Sequence, residues 1–429
     1  MYKGKTKDYN YYVYNGKSRV KQTLKSLNIA SQACADLSDF FFNEKLDITI
    51  DNERIDGIIH ECLEQNKFLS KANRLLQLVK ALGEGAFVAY KDKEVLKINY
   101  LNATNIVILE ANGQEVDSVL FWSERPIKNG TEIRINAHIL TEDGYVIHNR
   151  IYHDDDNGSV VEQELDPTIR TIETKSMIPE FAMLYTPEVN NEDINSPYGI
   201  SAFANAMDII LSVDRAYDTY DNEVWLGRKR IYIKGNAATF NTNADGSITP
   251  IFDATDTVYY QVPGGEKDGL ITTDASTLRI TEIKNALQGQ LNLLTSKMGL
   301  GHNYYKFQDG QVYVNTDNVI STNSDVYRKI KKQENIITNA ITTLCYAIAK
   351  LVGINEEFHI SVFYDDSIIE DTEQTRLQAL SEYNAKLISK SQYYRDVYKL
   401  GDKEAIQFAQ QMNQEIITEE ITDGTEPIE

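Results

Sequence analysis

Two short acidic runs are where this sequence could do chemistry. "HDDDNG", residues 153–158, sets one His beside three carboxylates, and "YDDSIIED", residues 364–371, sets Asp365, Asp366, Glu370 and Asp371 directly after a strand pattern. Carboxylates grouped in this way hold divalent cations through oxygen ligands, and Asp154, Asp155, Asp365 and Asp366 would suit a metal-dependent nuclease or hydrolase. Ordinary structure explains both runs as well. Asn157 and Gly158 supply hairpin-turn geometry between "IHNRIY" and "VVEQEL", and carboxylates complement the positive end of a helix dipole. The histidines His60, His138, His148, His153, His302 and His359 are scattered without ligand spacing. "NGKSR" matches the last residues of a phosphate-binding loop through Gly16, Lys17 and Ser18, but Tyr11 stands where the loop's first glycine belongs. With no nucleophile elbow or paired-carboxylate signature, the expectation is a chain with no catalytic residue, no metal and no cofactor.

Positive charge is concentrated in two places. Arg228, Lys229 and Arg230 follow a long helical pattern, where cations suit the negative end of the helix dipole. Arg328, Lys329, Lys331 and Lys332 open another helix directly after an aromatic stretch, and form either a solvated helical face or a basic surface turned towards nucleic acid. The background is acidic: 429 residues carry a formal net charge of -21. That counts against simple electrostatic DNA affinity, which depends on clustered Lys and Arg, without excluding contact with DNA that must move. An apolar fraction of 42% with 25% charged residues is ordinary for a globular chain of two or three domains. The polar start predicts no secretory signal, no stretch is apolar and long enough to cross a membrane, and Cys34, Cys62 and Cys345 read as small core residues.

The elements that must position these residues follow from periodicity. Leu27, Ala30, Cys34, Leu37 and Phe41 share one helical face, "LDITID" alternates as a strand, and Phe68, Ala72, Leu75, Val79 and Leu82 line a second helix ended by Gly83 and Gly85. From residue 86 to about 165 the period becomes two, with turn signals between runs, which predicts an antiparallel meander. Phe203, Met207, Ile210, Val213, Tyr217, Tyr220 and Val224 then form a stripe on a helix of roughly 40 Å at 1.5 Å per residue, with Ser201 as N-cap and Asp208, Asp214, Arg215, Asp218 and Asp221 around the other side. A strand-rich insertion follows, then a helix carrying Ile283, Leu287, Leu291, Leu294 and Met298 with Gly299 as its stop. Residues 300–318 read as a long loop with exposed aromatics, and a third long helix starts near Ser324 and ends at Gly353. The strand "FHISVFYD" and shorter helices complete an α+β fold, ahead of a disordered acidic tail.

The order of these elements carries a resemblance. "SLNIASQACADLSDFFFNEKLDITID", "LEQNKFLSKANRLLQLVKALGEGAFVAYKD", "SPYGISAFANAMDIILSVDRAYDTYDNEVWLGRKRIYI" and "YRDVYKLGDKEAIQFAQQM" are collinear with the portal proteins of long-tailed bacteriophages, and the chain resembles that family over nearly its whole length. The resemblance implies a ring of about twelve subunits at one capsid vertex, through which double-stranded DNA is packaged and ejected. It implies the portal fold: a mixed wing over residues 1–195, a stem helix over 196–228, a small α/β clip over 229–278 and a second stem helix over 279–299. A tunnel loop would occupy 300–323, a long wing helix, strand and small helical crown 324–412, and the acidic tail 413–429. The crown must be small, because little chain follows the third helix.

The resemblance also implies roles. His302, Asn303, Tyr304, Tyr305, Lys306 and Gln308 would form the DNA tunnel loop, Arg328, Lys329, Lys331 and Lys332 a basic zone near the tunnel, and Arg228, Lys229 and Arg230 the junction of stem and clip. Implied partners are further copies of the chain, double-stranded DNA read without sequence specificity, the terminase large subunit, a head-tail adaptor, and the major capsid and scaffolding proteins, with no membrane. Implied locations are the virion vertex and, during assembly, the host cytoplasm. A ring of about twelve such chains would carry about -250 formal charges, a repulsive wall along which DNA slides past sparse cations such as Lys306.

Overall fold

A computed structural model gives the fold, and it describes residues 2–4, 9–14, 18–113, 115–128, 130–154, 160–227, 230–234, 240–242, 244–246, 248–250, 259–262, 271–274, 277–308, 311–314, 324–364 and 379–398. Helices and strands are mixed, as an α+β chain requires. The first part runs β1 (Asn10–Tyr14), β2 (Arg19–Thr23), α1 (Ile29–Asp39), β3 (Asp47–Ile50), α2 (Glu53–Gln65) and α3 (Phe68–Leu82). Asn52 caps α2 by accepting from the backbone of Arg54 and Ile55 at 3.1 and 3.3 Å, and Glu53 and Asp56 lie in the first turn where the dipole favours them. Gly83 ends α3 at φ 108°, and a Cβ there would lie 2.5 Å from the carbonyl oxygen of Gly199, so two chain segments touch at this point through glycine backbone.

Next come β4 (Glu84–Asp92), β5 (Val95–Asn102), β6 (Ile106–Asn112), β7 (Glu115–Ile127), β8 (Gly130–Thr141), β9 (Gly144–Asp154), β10 (Val160–Gln163), α4 (Pro167–Arg170), β11 (Thr171–Glu173) and β12 (Phe181–Tyr185). The expected meander is present from β6 to β10, each strand antiparallel to its predecessor, with β11 returning to β9. The strands β4 and β5 leave it and form a separate sheet in the order β12-β4-β5. The reason is that β4 is buried on both faces. Phe87 and Ala89 point into the main core, while Ala86 and Val88 join Ile106, Val119, Phe121 and Phe181 in a second, smaller one.

The rest of the chain runs α5 (Met207–Leu226), β13 (Arg230–Lys234), β14 (Phe240–Thr242), β15 (Ile248–Pro250), β16 (Tyr259–Val262), β17 (Ile271–Asp274) and α6 (Ile280–Met298). The strand β13 sits between a parallel β16 and an antiparallel β17. After α6 come β18 (Tyr305–Gln308), β19 (Gln311–Val314), α7 (Ser324–Leu351), β20 (Ile360–Phe363) and α8 (Lys390–Tyr398). The predicted strands β3 and β20, far apart in sequence, pair with each other. The main core collects the apolar faces of α1, α2, α3, α5, α6 and α7, with Leu287, Leu291, Leu294, Ile337, Ile341 and Leu344 all fully buried. Each such side chain contributes about 1.5–3 kcal/mol by leaving water.

Several expectations are corrected. The helix α5 begins at Met207 after a 3-10 turn over Ala204–Ala206, and Ser201 is not its cap: its hydroxyl donates to the carbonyl of Lys80 at 3.3 Å instead. Of the predicted apolar positions, Met207, Val224 and Leu82 are exposed, while Asp214 and Asp218, placed on the polar side, are buried. The aromatic residues after α6 are not exposed loop residues, because Tyr304, Tyr305 and Phe307 are buried. Cys34, Cys62 and Cys345 are free and buried, as core residues should be. Among the described residues no helix is long and apolar enough to cross a membrane. The acidic tail over 413–429 lies outside the described residues.

Candidate functional site

Two of the groups singled out by sequence, residues 302–308 and 328–332, lie near the end of α6. The helices α5 and α6 pack along their length, and the gap between them is closed at one end by Arg279. Its guanidinium donates to Glu223 Oε2 at 2.9 Å and its backbone N–H to Glu223 Oε1 at 3.0 Å, which holds the Glu223 carboxyl below the usual range. The chain from β13 to β17 leaves and returns through this closed end.

At the other end α6 stops at Gly299 and the chain turns through Asn303, a residue at φ 59°, into the hairpin. Gln288 on α6 clamps the hairpin's first strand: its amide donates to the carbonyl of Tyr305 at 2.6 Å and accepts from the N–H of Phe307 at 2.9 Å. Strand alternation then sends Tyr305 and Phe307 inward and Lys306 and Gln308 outward. Phe307 meets Tyr217 and Tyr220 of α5 edge to face, with ring centroids 6.4 and 5.2 Å apart. Tyr305 donates to Asp36 Oδ2 on α1 at 2.5 Å. Burial raises the Asp36 carboxyl above its ordinary range, and this hydrogen bond opposes the rise. The result is a rigidly seated strand with His302, Lys306 and Gln308 in solvent.

The basic turn of α7 lies close by. Lys329 runs across Gly299, and its ammonium donates to the carbonyl of Lys297 at 3.5 Å, at the negative end of α6. Arg328, Lys329 and Lys332 are exposed, whereas Lys331 is paired with Glu334 Oε2 at 2.9 Å. The structure therefore brings the basic turn beside the end of α6, next to the start of the 302–308 segment. Residues 309–310 and 315–323 of the expected loop lie outside the described residues. So do Arg228 and Lys229, while Arg230 opens β13.

The acidic alternative gains nothing here. Asp154 ends β9, and Asp155, Asp365 and Asp366 lie outside the described residues. Among the described residues no group of three His, Cys, Asp or Glu side chains could hold a metal ion. Gly16 and Lys17 of the "NGKSR" run also lie outside.

Sequence reasoning missed what secures the outer side of α5. Asp214 accepts from the Tyr9 hydroxyl, from Ser26 Oγ at 2.9 Å and from the N–H of Leu27 at 2.9 Å. Asp218 accepts from the N–H of Lys25 at 3.1 Å, and Asp221 pairs with the Lys25 ammonium. The tyrosine-rich start was the available signal, since a buried tyrosine needs a partner for its hydroxyl.

A family model described as phage portal protein, SPP1 Gp6-like, matches residues 1–419 of the chain. Among curated proteins nothing matches it.

Proposed function

Because the chain belongs to the family of phage portal proteins of the SPP1 Gp6-like type, we propose that its copies close into a ring at one vertex of a phage capsid. Double-stranded DNA enters through this ring during packaging and leaves through it at ejection. The family is one of structural virion proteins, and the match over residues 1–419 carries the reading. The finer assignments are proposals. Residues 1–195 form the N-terminal part of the wing, α5 and α6 the stem, residues 229–278 the clip that docks the terminase large subunit and later a head-tail adaptor, and α7 the long wing helix below a small crown. Major capsid and scaffolding proteins surround the wing. The ring, of about twelve subunits, is built in the host cytoplasm and resides in the virion.

Support for this assignment comes from the arrangement of the hairpin. Tyr305 and Phe307 of its first strand are spent on anchoring it to α1 and α5, and that strand's outward side chains, Lys306 and Gln308 with His302 before them, are left for contact with DNA. Arg328, Lys329 and Lys332 add sparse positive charge to a chain of net charge -21. DNA in such a channel is guided by repulsion and touched at few points. Replacing Lys306 and Arg328 by Ala is expected to leave the mass of the ring unchanged in native mass spectrometry and to lower the amount of DNA retained in packaged particles. Unchanged retention in intact rings would remove the DNA-contact role of these residues. A compact low-order species with metal-dependent nuclease activity would overturn the portal assignment as a whole.

A further inference from the structure

Among the described residues the strand β3 is paired along one edge only, with β20. Its register decides what the other edge offers. The N–H of Asp51 donates to the carbonyl of His359 at 3.2 Å, so positions 51, 49 and 47 turn their peptide groups towards β20, and positions 50 and 48 turn theirs away. At Ile50 the outward N–H is taken by Asp56 Oδ1 at 3.1 Å. At Ile48 no described residue takes either outward group. Ile48 also lines a cavity of about 360 Å³ with Leu46, Leu63, Phe68 and the acidic Asp47 and Glu64. Ile48 and Ile50 face inward along this strand and Asp47 and Thr49 outward.

A segment that fits this edge would be extended, unpaired on one side, and would alternate an apolar residue with cations. The chain itself carries one. Among the described residues the strand β2, "RVKQT", pairs only with β1, and all five of its residues are exposed. Val20 points to one side of it, and Arg19 and Lys21 to the other, where neither forms an ion pair with a described residue. We propose that β2 of one subunit adds to the free edge of β3 in the next, exchanging hydrogen bonds with Ile48, seating Val20 over the cavity and setting Arg19 and Lys21 beside Asp47. Main-chain pairing supplies the contact and the side-chain alternation its register. The two patches differ and lie on the same chain, so the contact is head-to-tail, the kind that closes rings. The proposal rests on the ring assignment above and adds to it which surfaces meet.

The test is a disulfide between subunits. Val20→Cys is combined with Leu69→Cys, a partly exposed residue lining the cavity, in a chain whose own cysteines are buried. Mild oxidation of the assembled protein is expected to give reducible chain-to-chain products that neither single variant gives. Adding Asp47→Lys should lower their yield about tenfold, and Lys21→Glu in the same chain should restore most of it. Rings that form without the cross-link and ignore both charge changes would overturn the contact and leave the ring assignment standing. Cross-linked pairs in a protein that never closes into a ring would do the opposite. Absence of both rings and cross-links overturns both.

Discussion

Lys80 and Glu84 show how single residues set the pH response. The Lys80 ammonium is buried between α3 and α7, donates to Gln333 Oε1 at 2.6 Å, and is pushed down to about 8 by burial, an effect that Glu188 opposes. Four residues later Glu84 is 2 % exposed, and burial pushes its carboxyl up to about 7 against a backbone hydrogen bond from Gly199. A carboxyl raised in the folded state keeps its proton between its unfolded value of 4.5 and about 7, where the unfolded chain has lost it. Its contribution is therefore fully present below pH 4.5 and is lost as pH rises through 7. Glu180, also raised to about 7 by burial, acts in the same direction. Thermal unfolding is expected to show stability falling with rising pH across this window, and Glu84→Gln should flatten the fall without abolishing it. An unaltered slope in the variant would mean that Glu84 ionises in the fold as easily as in water.

At the scale of elements, Gln288 on α6 clamps the first strand of the β18–β19 hairpin, in addition to its anchors on α1 and α5. Gln288 satisfies a backbone acceptor and a backbone donor at once, so a Gln288→Ala chain leaves the carbonyl of Tyr305 and the N–H of Phe307 without their partner. The expected cost is about 1–3 kcal/mol of local stability, read as faster hydrogen exchange at residues 305–308 with α6 itself still protected. Periodicity had located α6 with its buried face and its glycine stop, but it could not report this clamp. A glutamine on a helix pattern looks like any other solvated position, and four-residue strands leave too short a pattern to tell from loop. The same limit applies to α5, whose apolar stripe was visible while its buried carboxylates were not.

For the molecule as a whole, the outer side of α5 is completed by the first residues of the chain. Asp214 gathers donors from Tyr9, Ser26 and Leu27, and Asp218 and Asp221 bind Lys25, so the arm that contains β1 and β2 is fastened to a helix far along the sequence. Replacing Asp214 by Ala removes the acceptor that Tyr9, Ser26 and Leu27 share. It should cost about 2–4 kcal/mol in denaturant unfolding and make residues 9–27 open to protease. An arm that stays protected in the variant would show that β1 and β2 are held by other contacts. The prediction bears on assembly too, since β2 can present Arg19 and Lys21 to a neighbour only while its base is fixed.

The sequence by itself determined the α+β class, the three long helices and most of their buried faces, the β6–β10 meander and the order of elements that identifies the family. These are local or collinear properties, written in the spacing of apolar residues within one element. Tertiary structure alone decided that β4 serves two cores, that β3 pairs with β20, that Tyr305 and Phe307 anchor while Lys306 faces out, and that Asp214 is buried. The physical reason is the same in each case. A polar side chain can be buried only when its partners arrive from elsewhere in the chain, and spacing within one element carries no record of them.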